Sequence, residues 1–117
     1  MDQNLRRIVD TIVTNFDPDK VVLFGSRARG NAGVDSDYDI CILKRNVGHR
    51  RKLAQGVYRS LYGTGLAVDV IVESPELFDE LKDTPGLIYR EIARYGEILY
   101  DRDGPFEGVV PQGSEQP

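Results

Sequence analysis

Three aspartates stand where strands are expected, and acids are uncommon in strands. Asp37 and Asp39 lie two residues apart at the start of one predicted strand, so their side chains point to the same face, about 7 Å apart along it. Asp69 interrupts a later apolar run at 67–72. If the two strands are neighbours, this third acid lies roughly 5 Å from the first two. We expect three costly buried acids, held together by a divalent cation that offsets their repulsion.

This arrangement predicts metal-dependent phosphoryl chemistry. Carboxylate oxygens are hard ligands and suit Mg²⁺ better than zinc or copper. Two metal ions about 4 Å apart, bridged by carboxylates, serve many enzymes that transfer phosphoryl or nucleotidyl groups. A structural alternative stays open, in which Asp37 caps a strand end and Asp69 marks a sheet edge or a bulge.

A glycine-containing loop upstream supplies a second signal. Gly25 directly follows the apolar run 21–24, and a glycine there permits a tight turn and a close backbone approach to a ligand. Ser26 offers a hydroxyl, and the amides that follow it open a helix, whose N-terminus can bind a phosphate. Arg27 or Arg29 could donate paired hydrogen bonds to the phosphates of a nucleotide. The loop ends at Gly30 and is neither a Walker A loop nor a dinucleotide fingerprint. Taken alone, it also fits a plain strand-turn-helix.

Helices and strands alternate around these residues. Apolar residues spaced three and four apart predict an amphipathic helix over 3–16. Further helices are predicted at 25–30, at 49–62, from Ser74 with Pro75 in its first turn, and from Thr84-Pro85. Short β-rich runs predict strands at 21–24, 37–44, 67–72 and 98–100. The alternation indicates an α/β (α+β) domain, a small mixed β-sheet flanked by helices.

The composition excludes several other kinds of site. The single cysteine, Cys41, excludes an intrachain disulfide and a multi-cysteine metal cluster, and the single histidine, His49, argues against a histidine zinc site. The net charge of −4 argues against general nucleic-acid coating, and we expect no direct nucleic-acid partner.

The length of 117 residues predicts one domain. We place it at 1–103 and expect a disordered tail at 104–117, where Gly, Pro, Ser, Gln and Glu dominate. No apolar stretch approaches the ~20 residues of a membrane span, and the N-terminus lacks the apolar core of a signal peptide. We therefore expect a cytoplasmic protein without a membrane partner.

Together, the loop and the acids resemble the nucleotidyltransferase superfamily that includes DNA polymerase β. Its motif is Gly-Ser, a short run to Gly, a variable loop, Ser-Asp-x-Asp and a third acid on a later strand. This chain has Gly25-Ser26, Gly30, Ser36-Asp37-Tyr38-Asp39 and Asp69. The resemblance covers about residues 20–72 and implies a polymerase β-like fold. The small size narrows it to the minimal nucleotidyltransferases, the MNT family, which lack an extra substrate-binding domain.

The resemblance also implies roles for single residues. Gly25 and Ser26 would hold the triphosphate of ATP, while Asp37 and Asp39 would ligate two Mg²⁺ ions. Asp69 would ligate the catalytic ion and help to deprotonate the acceptor hydroxyl. Ser36 would support the loop, and Arg27, Arg29 and Gly30 would lie on the nucleotide side of the site.

Members of the MNT family are commonly paired with a HEPN-domain ribonuclease in a toxin–antitoxin system. The resemblance therefore implies an antitoxin that transfers AMP from ATP to a tyrosine hydroxyl of the HEPN toxin. One alternative is an antitoxin that neutralises its partner by binding alone. Another is a nucleotidyltransferase that acts on a small molecule or RNA, although the short chain leaves no residues for a second substrate domain.

Overall fold

The computed structural model describes residues 1–104, in which helices and strands alternate. In chain order the elements are α1 Gln3–Phe16, β1 Lys20–Phe24, α2 Gly25–Arg29, β2 Tyr38–Leu43, α3 Arg50–Leu61, β3 Val68–Glu73, α4 Pro75–Leu81, α5 Ile88–Tyr95 and β4 Glu97–Asp101. The predicted tail at 104–117 lies, apart from Gly104, outside the described residues. None of the helices within residues 1–104 has the length and apolar character needed to cross a membrane.

The strands form one mixed sheet in the order β3-β2-β1-β4. β1 pairs antiparallel with both β2 and β4, whereas β2 pairs parallel with β3. A parallel pair needs a long crossover, and α3 supplies it between β2 and β3. The predicted small mixed sheet flanked by helices is confirmed, and so is the expectation that the strands carrying Asp39 and Asp69 are neighbours.

The sheet is covered on both faces because its central strands are apolar on both sides. Alternate residues of β1 and β2, such as Leu23 and Ile40, join α1 and α3 in the larger core cluster. The intervening residues, such as Val22 and Cys41, pack against Ile92 of α5 in a second cluster. The register of β2 decides which face Asp39 occupies, because a shift of one residue would move it to the opposite face.

Side-chain caps mark where two of the five described helices begin. The Asp2 carboxylate accepts the Leu5 N–H at 2.6 Å and caps α1. The Ser74 hydroxyl accepts the Leu77 N–H at 3.1 Å and caps α4, as the Ser-Pro pair predicts. The predicted start of the last helix at Thr84-Pro85 is wrong, because α5 begins only at Ile88. Gly86 has a φ of +89°, which is incompatible with a right-handed helix.

A buried acid ties the end of β3 to two helices. Glu73 is 2% exposed, and its carboxylate accepts hydrogen bonds from Arg50 of α3 and from the Tyr89 hydroxyl of α5, both at 2.6 Å. Burial and the Glu73 carboxylate raise the pKa of Tyr89 to about 12. This cluster anchors α3 and α5 to the strand that carries Asp69.

Candidate active site

Asp39 and Asp69 are direct partners in the parallel register of β2 and β3. Side chains at paired positions of neighbouring strands point to the same face, and the strands lie about 4.8 Å apart. Asp37 stands one residue before β2 begins. The fold therefore gathers the three predicted acids at one end of two adjacent strands.

The acids differ in burial, and the expectation that all three are buried is wrong for two of them. Asp39 is half-buried, whereas Asp37 and Asp69 are exposed. Asp37 is exposed because it ends the 31–37 loop, and Asp69 because β3 is an edge strand of the sheet. The site is consequently an open surface rather than a closed cleft.

The pKa of Asp39 is raised above its ordinary value. Burial is the largest cause, followed by the negative charges of Asp69, Asp37 and Glu91. The cluster thus concentrates negative charge around a half-buried carboxylate. Hard oxygen donors in such a field suit Mg²⁺, so the chemistry of the donor set fits this metal.

The acid side chains do not converge on a single point. Within residues 1–104, no three acidic, histidine or cysteine side chains form a group ready to hold a metal ion. The Asp69 Oδ1 atom instead accepts a hydrogen bond from the Tyr58 hydroxyl at 3.3 Å, and that hydroxyl also accepts the Val70 N–H at 2.9 Å. Tyr58 reaches Asp69 from α3 at the free edge of β3.

Only glycine fits at position 25, because the Asp39 carboxylate lies directly against it. The φ of Gly25 is +74°, and a Cβ atom there would stand 2.1 Å from the Asp39 Oδ2 atom. Any side chain would displace the carboxylate and would also strain the backbone. The glycine that follows β1 therefore serves the acid of the neighbouring strand directly.

The short helix α2 holds the other loop residues predicted to bind phosphate. Ser26 is half-buried, and its carbonyl accepts the N–H of Gly30, which caps the helix with a φ of +79°. Gly25 and Ser26 thus open α2 beside Asp39, and Gly30 closes it. Their predicted roles toward a triphosphate stay predictions.

Arg27 braces the loop that leads to Asp37. Its guanidinium donates to the Ser36 carbonyl from Nε at 3.0 Å and from Nη2 at 2.7 Å, and it lies 4.0 Å above the Tyr38 ring. The Ser36 hydroxyl accepts the Gly33 N–H at 2.9 Å, a contact that supports the loop. These contacts occupy Arg27 within the loop, and its predicted phosphate role stays a prediction.

Two residues at the site were not identified from the sequence, Glu91 and Tyr58. Glu91 accepts a hydrogen bond from Arg29 at 2.8 Å and bears on the pKa of Asp39. The sequence feature that could have identified Glu91 is its negative charge between the apolar residues Ile88 and Ile92 of the last predicted helix. Tyr58 carries no comparable signal, because tyrosine on a helix is commonly a packing residue.

Comparison with protein families gives one match over most of the chain. The family described as "Polymerase beta, Nucleotidyltransferase" matches residues 6–104. Among curated relatives, the chain is 29% identical over 86 residues to protein adenylyltransferase MntA of Aphanizomenon flos-aquae. It is 34% identical over 88 residues to a candidate protein adenylyltransferase, MJ1305, of Methanocaldococcus jannaschii. These matches cover 72% and 71% of this chain but only 57% and 58% of the relatives.

Solved structures share the fold at low sequence identity. A candidate nucleotidyltransferase of Sulfolobus solfataricus superposes with a TM-score of 0.61 at 23% identity, covering 90% of this chain and 84% of its own. A chain of a toxin–antitoxin complex crystallised with AMP-PNP superposes with a TM-score of 0.56 at 22% identity, covering 86% of this chain and 75% of its own. Both likenesses concern the architecture that carries the three acids.

Proposed function

Because the chain belongs to the polymerase beta nucleotidyltransferase family, we propose that it is an Mg²⁺-dependent enzyme that transfers AMP from ATP. Its acceptor is a tyrosine hydroxyl on a HEPN-type ribonuclease, and the transfer makes the chain an antitoxin. The observation that carries the proposal is the pairing of Asp39 with Asp69 in the register of β2 and β3, beside Gly25.

The three acids supply the negative charge that would bind the metal ions of the reaction. Asp37, Asp39 and Asp69 are the residues that would hold Mg²⁺, and burial together with the crowding of these acids raises the pKa of Asp39. Bound Mg²⁺ would neutralise charge on the triphosphate and on the leaving pyrophosphate. Catalysis then depends mainly on how the chain positions its ligands.

The remaining roles follow from where the side chains lie. Gly25 and Ser26 would bind the triphosphate next to Asp39, because they open α2 on that carboxylate. Asp69 would accept the proton of the attacking hydroxyl. The Tyr58 contact supports this role, since a phenol O–H already donates to Asp69 at 3.3 Å.

The exposure of the site favours a macromolecular acceptor. Asp37 and Asp69 are exposed, and Val34 on the adjoining loop is 94% exposed, so a second protein can reach the acids without a cleft opening. The relative MntA is named a protein adenylyltransferase, and one structural neighbour belongs to a toxin–antitoxin complex with AMP-PNP. These names support a protein acceptor and an adenine nucleotide.

The test is transfer to the partner. The chain is incubated with Mg²⁺, ATP and the HEPN-type protein proposed as its partner, and the intact mass of each protein is measured. We expect the partner to gain one or more AMP units on tyrosine. Asp39→Asn should reduce the rate by ~10²-fold or more, because it removes a charged ligand at the reacting centre.

Asp10→Asn is the matched control, since Asp10 is an exposed acid on α1, away from the site. This variant should transfer AMP at the wild-type rate. Full activity in Asp39→Asn would overturn the metal assignment. An unmodified partner whose ribonuclease activity is nonetheless suppressed would point to neutralisation by binding alone. Label from ATP that moves to RNA or to a small molecule would point to a different acceptor.

A further inference from the structure

We propose that Glu91 is a positioning residue for nucleotide binding, which holds the Arg29 guanidinium at the active site so that it can bind the phosphates of ATP. The inference rests on the proposed function and adds to it a residue on α5, a helix outside the loop and the acid-bearing strands. It also separates Arg29 from Arg27, whose guanidinium is occupied by the loop.

Both ends of α2 lie near the acids. At its start, Gly25 approaches the Asp39 carboxylate so closely that a Cβ there would stand 2.1 Å from Oδ2. At its end, Arg29 pairs with Glu91, a carboxylate whose charge acts on Asp39. Arg29 therefore extends from the turn directly beyond the predicted triphosphate-binding residues.

Glu91 reaches the same place from α5. Its Oε2 atom lies 2.8 Å from the Arg29 Nη1 atom, and the two side chains are 31% and 39% exposed respectively. Its charge also raises the pKa of Asp39, so it stands within electrostatic reach of the acids. Glu91 is thus a fourth carboxylate of the cluster, and Arg29 is the cation that neutralises it.

The contact leaves most of the Arg29 guanidinium available. A guanidinium has five N–H donors, and among residues 1–104 the only partner of Arg29 is Glu91, through Nη1. The remaining donors can form the paired hydrogen bonds that arginine makes to phosphate. A long side chain that is already held in place loses less conformational entropy when it binds a ligand.

This role predicts an effect opposite to that of simple charge repulsion. Removing a negative charge near a site for an anion should strengthen ATP binding if Glu91 acts only through its field. If Glu91 positions Arg29, removing it should weaken ATP binding. A partly exposed ion pair is worth up to about 1 kcal/mol, so we expect a loss of about 5-fold in affinity.

The test is the affinity of the full chain for the ATP analogue AMP-PNP, measured by calorimetry at saturating Mg²⁺. Four proteins are compared: wild type, Glu91→Ala, Arg29→Ala and the double variant. We expect Glu91→Ala to bind about 5-fold more weakly and Arg29→Ala at least ~10-fold more weakly. The double variant should match Arg29→Ala, because Glu91 acts through that residue.

Glu80→Ala is the matched control, an exposed glutamate on α4 that should bind as the wild type does. Equal or tighter binding by Glu91→Ala would overturn the inference, and so would losses that simply multiply in the double variant. Coupled losses without transfer to the HEPN-type protein would leave this inference standing and overturn the proposed acceptor. No binding by the wild type would overturn the inference and the proposed function together.

Discussion

Asp39 is the residue on which the site depends most. It is half-buried, its carboxylate rests against Gly25, and its pKa is raised first by burial and then by three other carboxylates. A group in this position lowers the stability of the metal-free fold at neutral pH, because its ionised form is disfavoured there. Natural proteins accept such costs at functional sites, where binding a ligand reverses them.

Cys41, two residues further along β2, makes the stability of the fold fall with pH in the alkaline range. Burial raises the pKa of its thiol to about 12 from an ordinary value of 9.0. Because the folded thiol keeps its proton while the unfolded one loses it, this contribution to stability is lost as pH rises from 9 toward 12. We expect it to lower the free energy of unfolding by about 1 kcal/mol between pH 8 and pH 10.

Urea unfolding at pH 8 and pH 10 measures the effect, with Cys41→Ala as the comparison. The variant should be less stable at pH 8, since it leaves a small cavity, but its stability should fall less over the interval. Tyr89, whose pKa is raised from 10.0 to about 12, lowers the stability of both proteins alike near pH 10, so the difference between the two falls reports Cys41. Equal falls in the two proteins would show that the buried thiol does not contribute.

At the residue level, the sequence predicts what is encoded locally. The pair Asp37 and Asp39 stands out because two acids open an apolar strand, and Asp69 because it interrupts one. Glu91 and Tyr58 do not, because they reach the site from helices far along the chain. Their roles depend on how α3 and α5 pack on the sheet, which no local pattern specifies.

Among the elements, the junction of β1 and α2 limits the geometry of the site most. Gly25→Ala should be strongly destabilising, because it combines a strained φ with a Cβ placed 2.1 Å from the Asp39 carboxylate. We expect a loss of roughly 2–4 kcal/mol in the free energy of unfolding and the loss of ATP binding. Denaturant unfolding and calorimetry measure the two effects.

Gly63→Ala isolates the contribution of strain. Gly63 also has a positive φ, +90°, but an added Cβ there would meet nothing within 4 Å. This variant should lose only about 1 kcal/mol and bind ATP as the wild type does. If the two substitutions cost the same, the close approach of Gly25 to Asp39 would not be what requires a glycine.

The elements were predicted well where periodicity and capping agree. The helix predicted over 3–16 matches α1, Gln3–Phe16, because its apolar spacing and its capping acid act together. The strand at 67–72 is displaced by one residue, since β3 extends to the buried Glu73. The failure at Thr84-Pro85 has a specific cause: Gly86 turns the chain at a positive φ before α5 can begin.

On the scale of the whole molecule, the sheet order explains why distant residues meet. β2 lies between β1 and β3, so the loop after β1 and the acid of β3 flank the same strand. That β2 and β3 are neighbours could only be assumed from the sequence, because four short strands can be arranged in several orders within a sheet. The conditional prediction nevertheless sufficed to bring Asp69 to the other acids.

Binding of Mg²⁺ and ATP should therefore stabilise the whole fold and offset the destabilisation that the ionised Asp39 causes in the metal-free protein. A ligand at 100 times its dissociation constant adds about 2.7 kcal/mol, or about 10 °C in the unfolding temperature of a domain of this size. Without ligand, Asp39→Asn should unfold at a higher temperature than the wild type, because it removes the crowded charge. With Mg²⁺ and ATP the order should invert, since the variant loses the ligand-dependent increase. Thermal unfolding of both proteins, with and without ligand, decides this, and an unchanged order would contradict a metal site at Asp39.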